Sequence, residues 1–277
     1  MSTTTEALRQ IRSPRSSSIA AFKALLIRDV RVLRKSLPLF VVRTIMQPLL
    51  FVFVFTYVFP KIGQGIGGAR GQESFSSLLV PGVVAIACIF QGIQAVALPL
   101  VTEFSYTREI EDRVMAPLPV WAVAVAKMVS GACQGILAGM VVFPLATFVP
   151  ATDVHLEVQW FELLTFLPLA ALVGSSLGLA IGTRAKPQQV PLIFSVIVIP
   201  VTFLGATYYP WASLDPIPWL KWAVLVNPLV YMGEAFRTAL TPQFPHMPVP
   251  VIYLALVGFV AFLGWQGIEG FKKRVLA

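Results

Sequence analysis

The chain has 277 residues, of which 57% are apolar and only 12% are charged, and its net charge is +8. A soluble domain carries about 25% charged residues, so this composition argues against a soluble enzyme or a nucleic-acid-binding module and indicates a membrane protein. The lipid core admits only helices and closed barrels, because every backbone polar group there must be paired within the protein. Barrel strands alternate apolar and polar residues, whereas PLLFVFVFTYVF is apolar on all sides. The sequence therefore predicts an all-α, polytopic membrane protein.

The chain is predicted to contain three regions. Residues 1–17 are rich in Ser, Thr and Arg and are expected to form a disordered cytoplasmic tail. Residues 18–36 form an amphipathic interfacial helix, and residues 37–277 form the transmembrane domain. Six stretches of this domain approach the roughly 20 apolar residues that a membrane-crossing helix needs. They are residues 38–59, 78–102, 120–149, 160–183, 191–209 and 249–270.

The interfacial helix has an apolar arc and a basic arc. At helical spacing, Phe22 and Leu25 fall on the apolar arc, and five cations fall on the other. These cations are Lys23, Arg28, Arg31, Arg34 and Lys35. The pattern predicts a helix that lies in the cytoplasmic interface, where its cations meet anionic lipid headgroups. Asp29 interrupts the apolar arc. Either it pairs with a neighbouring helix, or the end of the helix is frayed or tilted.

The distribution of cations predicts the orientation of the chain. Six crossings place both termini on one side of the membrane. Of the 21 Lys and Arg residues, all except Lys61, Arg70, Lys221 and Arg237 fall on that side. Because cytoplasmic loops of membrane proteins are enriched in Lys and Arg, both termini are predicted to be cytoplasmic.

The third and fourth predicted spans each carry a glycine at every fourth position. These glycines are Gly131, Gly135 and Gly139 in the third span and Gly174, Gly178 and Gly182 in the fourth. Such stripes let helix backbones approach closely, and a hinge or a substrate-facing groove is the alternative interpretation.

A few glutamines are the main polar residues within the spans. Gln91 and Gln94 share a face of the second span, and Gln134 lies in the third. They either line a translocation path or form hydrogen bonds between helices.

The segment before the last span is predicted to contain a short helix on the outer side of the membrane. Asn227 is suited to cap it and Pro228 to occupy its first position, which places the helix at residues 228–240. Glu234 and Arg237 are three residues apart and are expected to pair on one face of it.

A charged connector joins the second and third spans. Residues 103–116 have helix-forming composition, and Glu109 with Arg113 follows the favourable i,i+4 order. Arg108 with Asp112 forms a second such pair, and prolines 117 and 119 end the helix. The connector also has an apolar rim, namely Ile110, Val114, Met115 and Leu118. It is either a solvated link or a rigid element that docks on a partner.

Motifs of several enzyme classes are missing from the sequence. GQGIGG fits a dinucleotide pattern but follows a membrane span and not a strand, and no phosphate-binding GxxxxGK[ST] occurs. His155 and His246, the two histidines, fall in predicted outer loops and do not form the HExxH of a metalloprotease. No residue is therefore predicted to be catalytic or to bind a metal.

This arrangement resembles the ABC-2 type permeases, the membrane subunits of ATP-binding-cassette exporters. Besides the six spans and the N-terminal helix, REIEDRVMAPLP and NPLVYMGEAFR carry the resemblance. It covers the chain from about residue 19 to the C-terminus. The chain departs from the family at Glu111 and Asp112, where glycine and threonine are common. It is most similar to the daunorubicin-type drug-efflux permeases, and polysaccharide and lipid-linked glycan exporters share the same plan.

The resemblance implies a homodimer or heterodimer of permeases joined to two separate ATPase subunits, which bind ATP and Mg. It implies that the connector is a coupling helix seated in a cleft of the ATPase, and that residues 208–240 form re-entrant outer helices. The coupling-helix residues expected to contact the ATPase are Glu103, Arg108, Glu109, Glu111, Asp112, Arg113 and Met115.

The function expected from these observations is export across a bacterial inner membrane. The chain is then a transporter subunit and not an enzyme, and its substrate is a hydrophobic or amphipathic compound such as a drug or an antibiotic. A polysaccharide or lipid-linked glycan is the alternative substrate. A passive channel or a membrane scaffold without an ATPase is the contrasting hypothesis.

Overall fold

A computed structural model describes residues 14–62, 68–107, 110, 118–149, 154 and 156–276. Within these ranges the secondary structure is helical throughout, as expected. The eight main helices are α1 (Pro14–Lys35), α2 (Leu37–Val52), α3 (Gly68–Thr102), α4 (Val120–Phe148), α5 (Trp160–Gly182), α6 (Pro218–Ala223), α7 (Pro228–Leu240) and α8 (Val249–Leu276). π-helical turns at Phe53–Val58 and Glu103–Thr107 continue α2 and α3. The interfacial helix begins at Pro14, four residues before its predicted start, and residues 1–13 lie outside the described ranges.

Five helices of the described chain are long and apolar enough to cross a membrane. They cover Phe40–Val58, Ser76–Tyr106, Val120–Ala146, Trp160–Gly182 and Val249–Leu276, which confirms five of the six predicted spans. The remaining prediction, residues 191–209, corresponds to a shorter apolar helical segment, Pro187–Phe203. This segment changes from 3-10 to α to π and back to α geometry. Three prolines in it, at 187, 191 and 200, remove backbone N–H donors and interrupt a regular ladder.

α3 is the central helix, and the glycine stripes of α4 and α5 pack against it. A Cβ added at Gly174 would lie 2.9 Å from the carbonyl oxygen of Cys88, and one at Gly178 would lie 2.8 Å from that of Gly92. On α4, a Cβ at Gly139 would lie 2.8 Å from the sulfur of Cys88. Both stripes therefore serve close helix packing, the first of the two interpretations.

At one end of the bundle, here called the Arg274 end, residues of α1, α3, α4, α5 and α8 meet. Nη1 of Arg274 in α8 donates to the carbonyl oxygens of Gly182, Thr183 and Ala185, which closes the C-terminus of α5. The same guanidinium lies 4.6 Å from the ring centroid of Phe104, just beyond α3. Leu25 of α1 packs into the apolar cluster at this end. The interfacial helix and the C-terminus of α8 therefore lie at the same end of the bundle.

The opposite end, here called the Arg237 end, is built around α7, whose residues are all buried except the partly buried Tyr231. Asn227 caps this helix, because its side-chain oxygen accepts from the backbone N–H of Leu229 at 2.9 Å, and Pro228 occupies the first position as predicted. The backbone N–H of Gln159 donates to the carbonyl oxygen of Ala239, so α5 begins beside the end of α7.

Candidate transport site

The polar faces of α3 and α4 face each other and run antiparallel. On α3 the face carries Gln91 and Gln94 and is followed by Glu103 in the π-helical turn, and on α4 it carries Lys127 and Gln134. Gln91 and Gln94 are three residues apart and Lys127 and Gln134 are seven apart, which keeps each pair on one side of its helix. The two helices thus form the wall of a polar cleft inside an otherwise apolar bundle.

Gln91 is the centre of a chain of hydrogen bonds between three helices. Its Oε1 accepts from Oγ1 of Thr44 in α2 at 3.2 Å, and its Nε2 donates to Oε1 of Gln134 in α4 at 3.4 Å. The interpretation of interhelical hydrogen bonding is therefore confirmed for Gln91 and Gln134. Both residues also line the cleft with Gln94, so the two interpretations of the glutamines are compatible.

Glu103 and Lys127 form an ion pair in the same wall. Nζ of Lys127 lies 2.6 Å from Oε1 of Glu103, and both side chains are about nine-tenths buried. In such surroundings a charge is stable only when a partner of opposite sign neutralises it. Glu103 is one of the connector residues expected to contact an ATPase, but in the structure its side chain lines the cleft. The structure therefore places Glu103 in the wall of the cleft.

The interfacial helix α1 covers one side of the cleft. Arg28 and Asp29 of α1 and Ser36 directly after it contribute to the lining, and the volume of the cleft is about 470 Å³. Asp29, the acid that interrupts the apolar arc, therefore faces the neighbouring helices. All five predicted interfacial cations are exposed, as a helix at a membrane surface requires.

A second polar centre lies at the Arg237 end, around the predicted pair of Glu234 and Arg237. Nη1 of Arg237 lies 2.8 Å from Oε1 of Glu234, and both side chains are fully buried, which confirms the pairing. Glu234 also accepts from the backbone N–H groups of Trp211 and Met247, each at 2.9 Å. Nη2 of Arg237 donates to the carbonyl oxygen of Ala206 at 2.5 Å. One ion pair thus ties α7 to the two irregular segments on either side of it.

Burial shifts the pKa values of several groups around this centre. Desolvation lowers the pKa of Arg237, and the adjacent carboxylate of Glu234 opposes that shift. Burial raises the pKa of Tyr209, with Arg237 acting in the opposite sense, and raises the pKa of Tyr208 to about 12. Both tyrosines are therefore neutral at physiological pH.

Residues 20–241 match the sequence profile of the ABC-2 type transporters. This chain belongs to the ABC-2 type transporter family. It is 28% identical over 200 residues to the inner membrane transport permease YadH of Escherichia coli strain K12, which covers 71% of this chain and 75% of that protein. The YadH permease of Shigella flexneri matches to the same extent. Membership of the family, together with five long apolar helices, makes the chain a multi-pass membrane permease of an ABC transporter.

Most of the predicted coupling helix of this ABC-2 permease lies outside the described residues. This applies to Arg108, Glu109, Glu111, Asp112, Arg113 and Met115. Two residues of the predicted apolar rim are described, and both contact the bundle. Ile110 is buried in a cluster with Leu100 and Phe271, and Leu118 packs against the same cluster. At these two positions the rim anchors the connector to the transmembrane helices.

Sequence reasoning missed the ion pair in the ABC-2 permease cleft and the contribution of Thr44. The sequence did contain a signal for the ion pair, because Lys127, Ser130 and Gln134 repeat at helical spacing on α4 and predict a polar face. The partner of Lys127 lies 24 residues earlier in the chain, and periodicity does not identify partners in other helices. No group of three or more His, Cys, Asp or Glu side chains positioned for a metal occurs within the described ranges.

Proposed function

We propose that this chain is the membrane-spanning subunit of an ATP-driven exporter that moves a hydrophobic or amphipathic compound out of the cytoplasm. The observation that carries the proposal is the cleft between α1, α2, α3 and α4. It combines amides and charges with apolar side chains such as Val32 and Phe40, and its volume of about 470 Å³ falls within the range of sites for drug-sized ligands. A compound with an apolar body and one polar group matches this lining.

Coupling to ATP hydrolysis is assigned to the connector after α3. The ATPase subunits bind ATP and Mg and contact the connector through its charged residues, Glu109 and Arg113 among them. Ile110 supports this role, because it is buried in an apolar cluster that contains residues of α3, α4, α5 and α8. A displacement of the connector would therefore be passed to the helices that form the cleft, since packed cores move as units.

The proposed topology has six crossings in an inner membrane, with both termini in the cytoplasm. The segment Pro187–Phe203 begins just after Ala185, which lies at the Arg274 end. Thr207, four residues after the segment ends, lies against Gly82, towards the Arg237 end. Gly82 and Phe104 are separated on α3 by about 33 Å at 1.5 Å per residue. This separation supports counting the segment as a sixth crossing. The relatives named inner membrane permeases support the location.

A second permease copy is assigned to the exposed apolar face of α2. Met46, Leu50 and Phe53 are large apolar side chains that remain exposed on this helix. A cysteine at Met46, introduced after both native cysteines are replaced, should form a crosslinked dimer in membranes. Leu254 is equally apolar and exposed on α8, so Leu254→Cys in the same background is the matched control and should stay monomeric.

Co-purification tests the transporter assignment. The chain, expressed with its candidate ATPase, should bring that subunit down, and the complex in proteoliposomes should move fluorescent amphipathic compounds only with ATP. Glu109→Arg and Arg113→Glu should each dissociate the complex or abolish transport. Lys61→Glu changes a cation on the outer side in the proposed topology and should preserve both. A chain that assembles with no ATPase, or that conducts without ATP, would be a scaffold or a channel.

A further inference from the structure

A basic groove lies between the end of α5 and the last turns of α8, outside the transport cleft. Its volume is about 610 Å³. Four of the side chains that line it are cations, namely Arg184, Lys186, Lys273 and Arg274, and Glu269 is the acid among them. The groove therefore carries a net positive charge at the Arg274 end of the bundle.

Two of these cations hold the groove in shape. Arg274 closes the C-terminus of α5 through three carbonyl oxygens, as described above. Arg184 donates to the carbonyl oxygen of Gln266 at 3.3 Å and to that of Ala180 at 3.3 Å, and so joins α8 to α5. The groove is consequently built on two fixed guanidinium groups.

The other two cations are available for a ligand. Lys186 and Lys273 are both exposed, and neither has an ion pair with any residue that the structure describes. They flank the groove from its two walls, one from the turn after α5 and the other from α8. An anion in the groove would meet two mobile ammonium groups without first breaking an existing ion pair.

Below the lysines, the same face of α8 continues as an apolar track. Trp265, Phe262 and Leu254 are spaced three and eight residues apart and are 62%, 55% and 78% exposed. Gly258, on the same face, has open space where a Cβ would lie. Lys273 is eight residues, or about 12 Å, from Trp265 along the helix. Along this face of α8, the cations are therefore followed by the aromatic side chain of Trp265 and then by exposed apolar residues.

We propose that this groove binds an anionic phospholipid, with the headgroup phosphate on Lys186 and Lys273 and an acyl chain along Trp265, Phe262 and Leu254. Basic pockets between membrane helices at the interface recognise acidic headgroups, and tryptophan is enriched at the same depth. A soluble anion or an acidic protein surface would use the cations but not the apolar track. The site depends on insertion into a membrane and not on transport, so it can be tested separately from the proposed function.

The test is native mass spectrometry of the full chain in detergent, titrated with phosphatidylglycerol or with phosphatidylcholine. Phosphatidylglycerol should bind more tightly, and K186Q/K273Q should weaken its binding by about tenfold or more. K186R/K273R should retain the binding, and so should K61Q/K221Q, which removes the same charge from two lysines outside both the groove and α1. The thermal shift caused by phosphatidylglycerol should follow the same order, which gives a second measurement on each folded variant.

Three results would overturn the lipid assignment. Equal binding of the two lipids, or equal losses in K186Q/K273Q and K61Q/K221Q, would show nonspecific attraction between lipid and protein charge. Displacement of phosphatidylglycerol by inorganic phosphate, together with no effect of Trp265→Ala, would show a site for a soluble anion. Loss of a co-purified ATPase in K186Q/K273Q with lipid binding intact would assign the groove to a protein contact.

Discussion

The ammonium of Lys127 in α4 lies 2.6 Å from the carboxylate of Glu103, the first residue beyond α3. This ion pair is buried in the wall of the cleft and lies seven residues before the buried Ile110 of the connector. It therefore links the position where a substrate would bind to the segment where an ATPase would act.

Removing one member of this pair should be more harmful than removing both. Lys127→Met removes the ammonium that lies 2.6 Å from the buried Glu103 carboxylate and should lower the free energy of unfolding by about 3 kcal/mol. The double variant E103L/K127M should recover most of that loss, because it removes both members of the buried pair. Thermal unfolding in detergent measures both effects. If Lys127→Met alone leaves the midpoint unchanged, the pair is hydrated in the folded protein.

The two glutamines on α3 should respond differently to substitution. Gln91→Leu breaks hydrogen bonds to Thr44 and Gln134 and should destabilise the protein by about 1–2 kcal/mol. Gln94→Leu changes the lining of the cleft and should alter the half-saturation concentration of a transported amphipathic compound several-fold. Transport assays and thermal unfolding of both variants separate the two roles. A parallel loss of stability and transport in Gln94→Leu would assign that residue to packing.

Adding a methyl group between α3 and α5 should separate the helices. A Cβ at Gly178 would lie 2.8 Å from the backbone oxygen of Gly92, which cannot move aside as a flexible side chain would. Gly178→Ala should therefore cost about 1–3 kcal/mol, the usual range for overpacking. Gly258→Ala is the matched control, because nothing lies within 4 Å of its Cβ position, and it should be neutral or slightly stabilising. Thermal unfolding in detergent compares the two, and equal midpoints would contradict this packing.

The two ion pairs at the Arg237 end should differ sharply in their effect on stability. Arg237→Met leaves the buried carboxylate of Glu234 without its counter-ion and should destabilise the fold by about 3–5 kcal/mol. Lys221 pairs with Asp215, whose side chain is 69% exposed, so Lys221→Met should cost less than about 1 kcal/mol. Expression level and unfolding temperature give the comparison. Similar losses in the two variants would mean that Arg237 is accessible to water.

Ala206 adopts a backbone conformation that favours glycine. Its φ is 49°, and its carbonyl oxygen is held by the guanidinium of Arg237. Ala206→Gly should therefore stabilise the protein or leave it unchanged, within about 1 kcal/mol, whereas Ala206→Val should destabilise it by more than that. Unfolding midpoints of the two variants check the sign. A more stable valine variant would be incompatible with a left-handed residue at this position.

Features that depend on local spacing were predictable from the sequence. Five of the six spans, the Asn227 cap and the pairing of Glu234 with Arg237 all follow from residues within one helix or one turn of each other. The long apolar runs determined the helical class, because lipid leaves unpaired backbone groups no other partner. The exposed basic arc of α1 followed from the same periodicity.

The tertiary structure decided which helices meet. Glu103 and Lys127 are 24 residues apart and Gln91 and Gln134 are 43 apart, while Arg274 caps a helix that ends 92 residues before it. Helical periodicity gives the face on which a side chain lies, but it does not give the helix that this face contacts. That choice depends on how glycine stripes let α3, α4 and α5 approach, a property of the whole packed bundle. The cleft and the basic groove both arise at such contacts, so neither was visible in the sequence as a site.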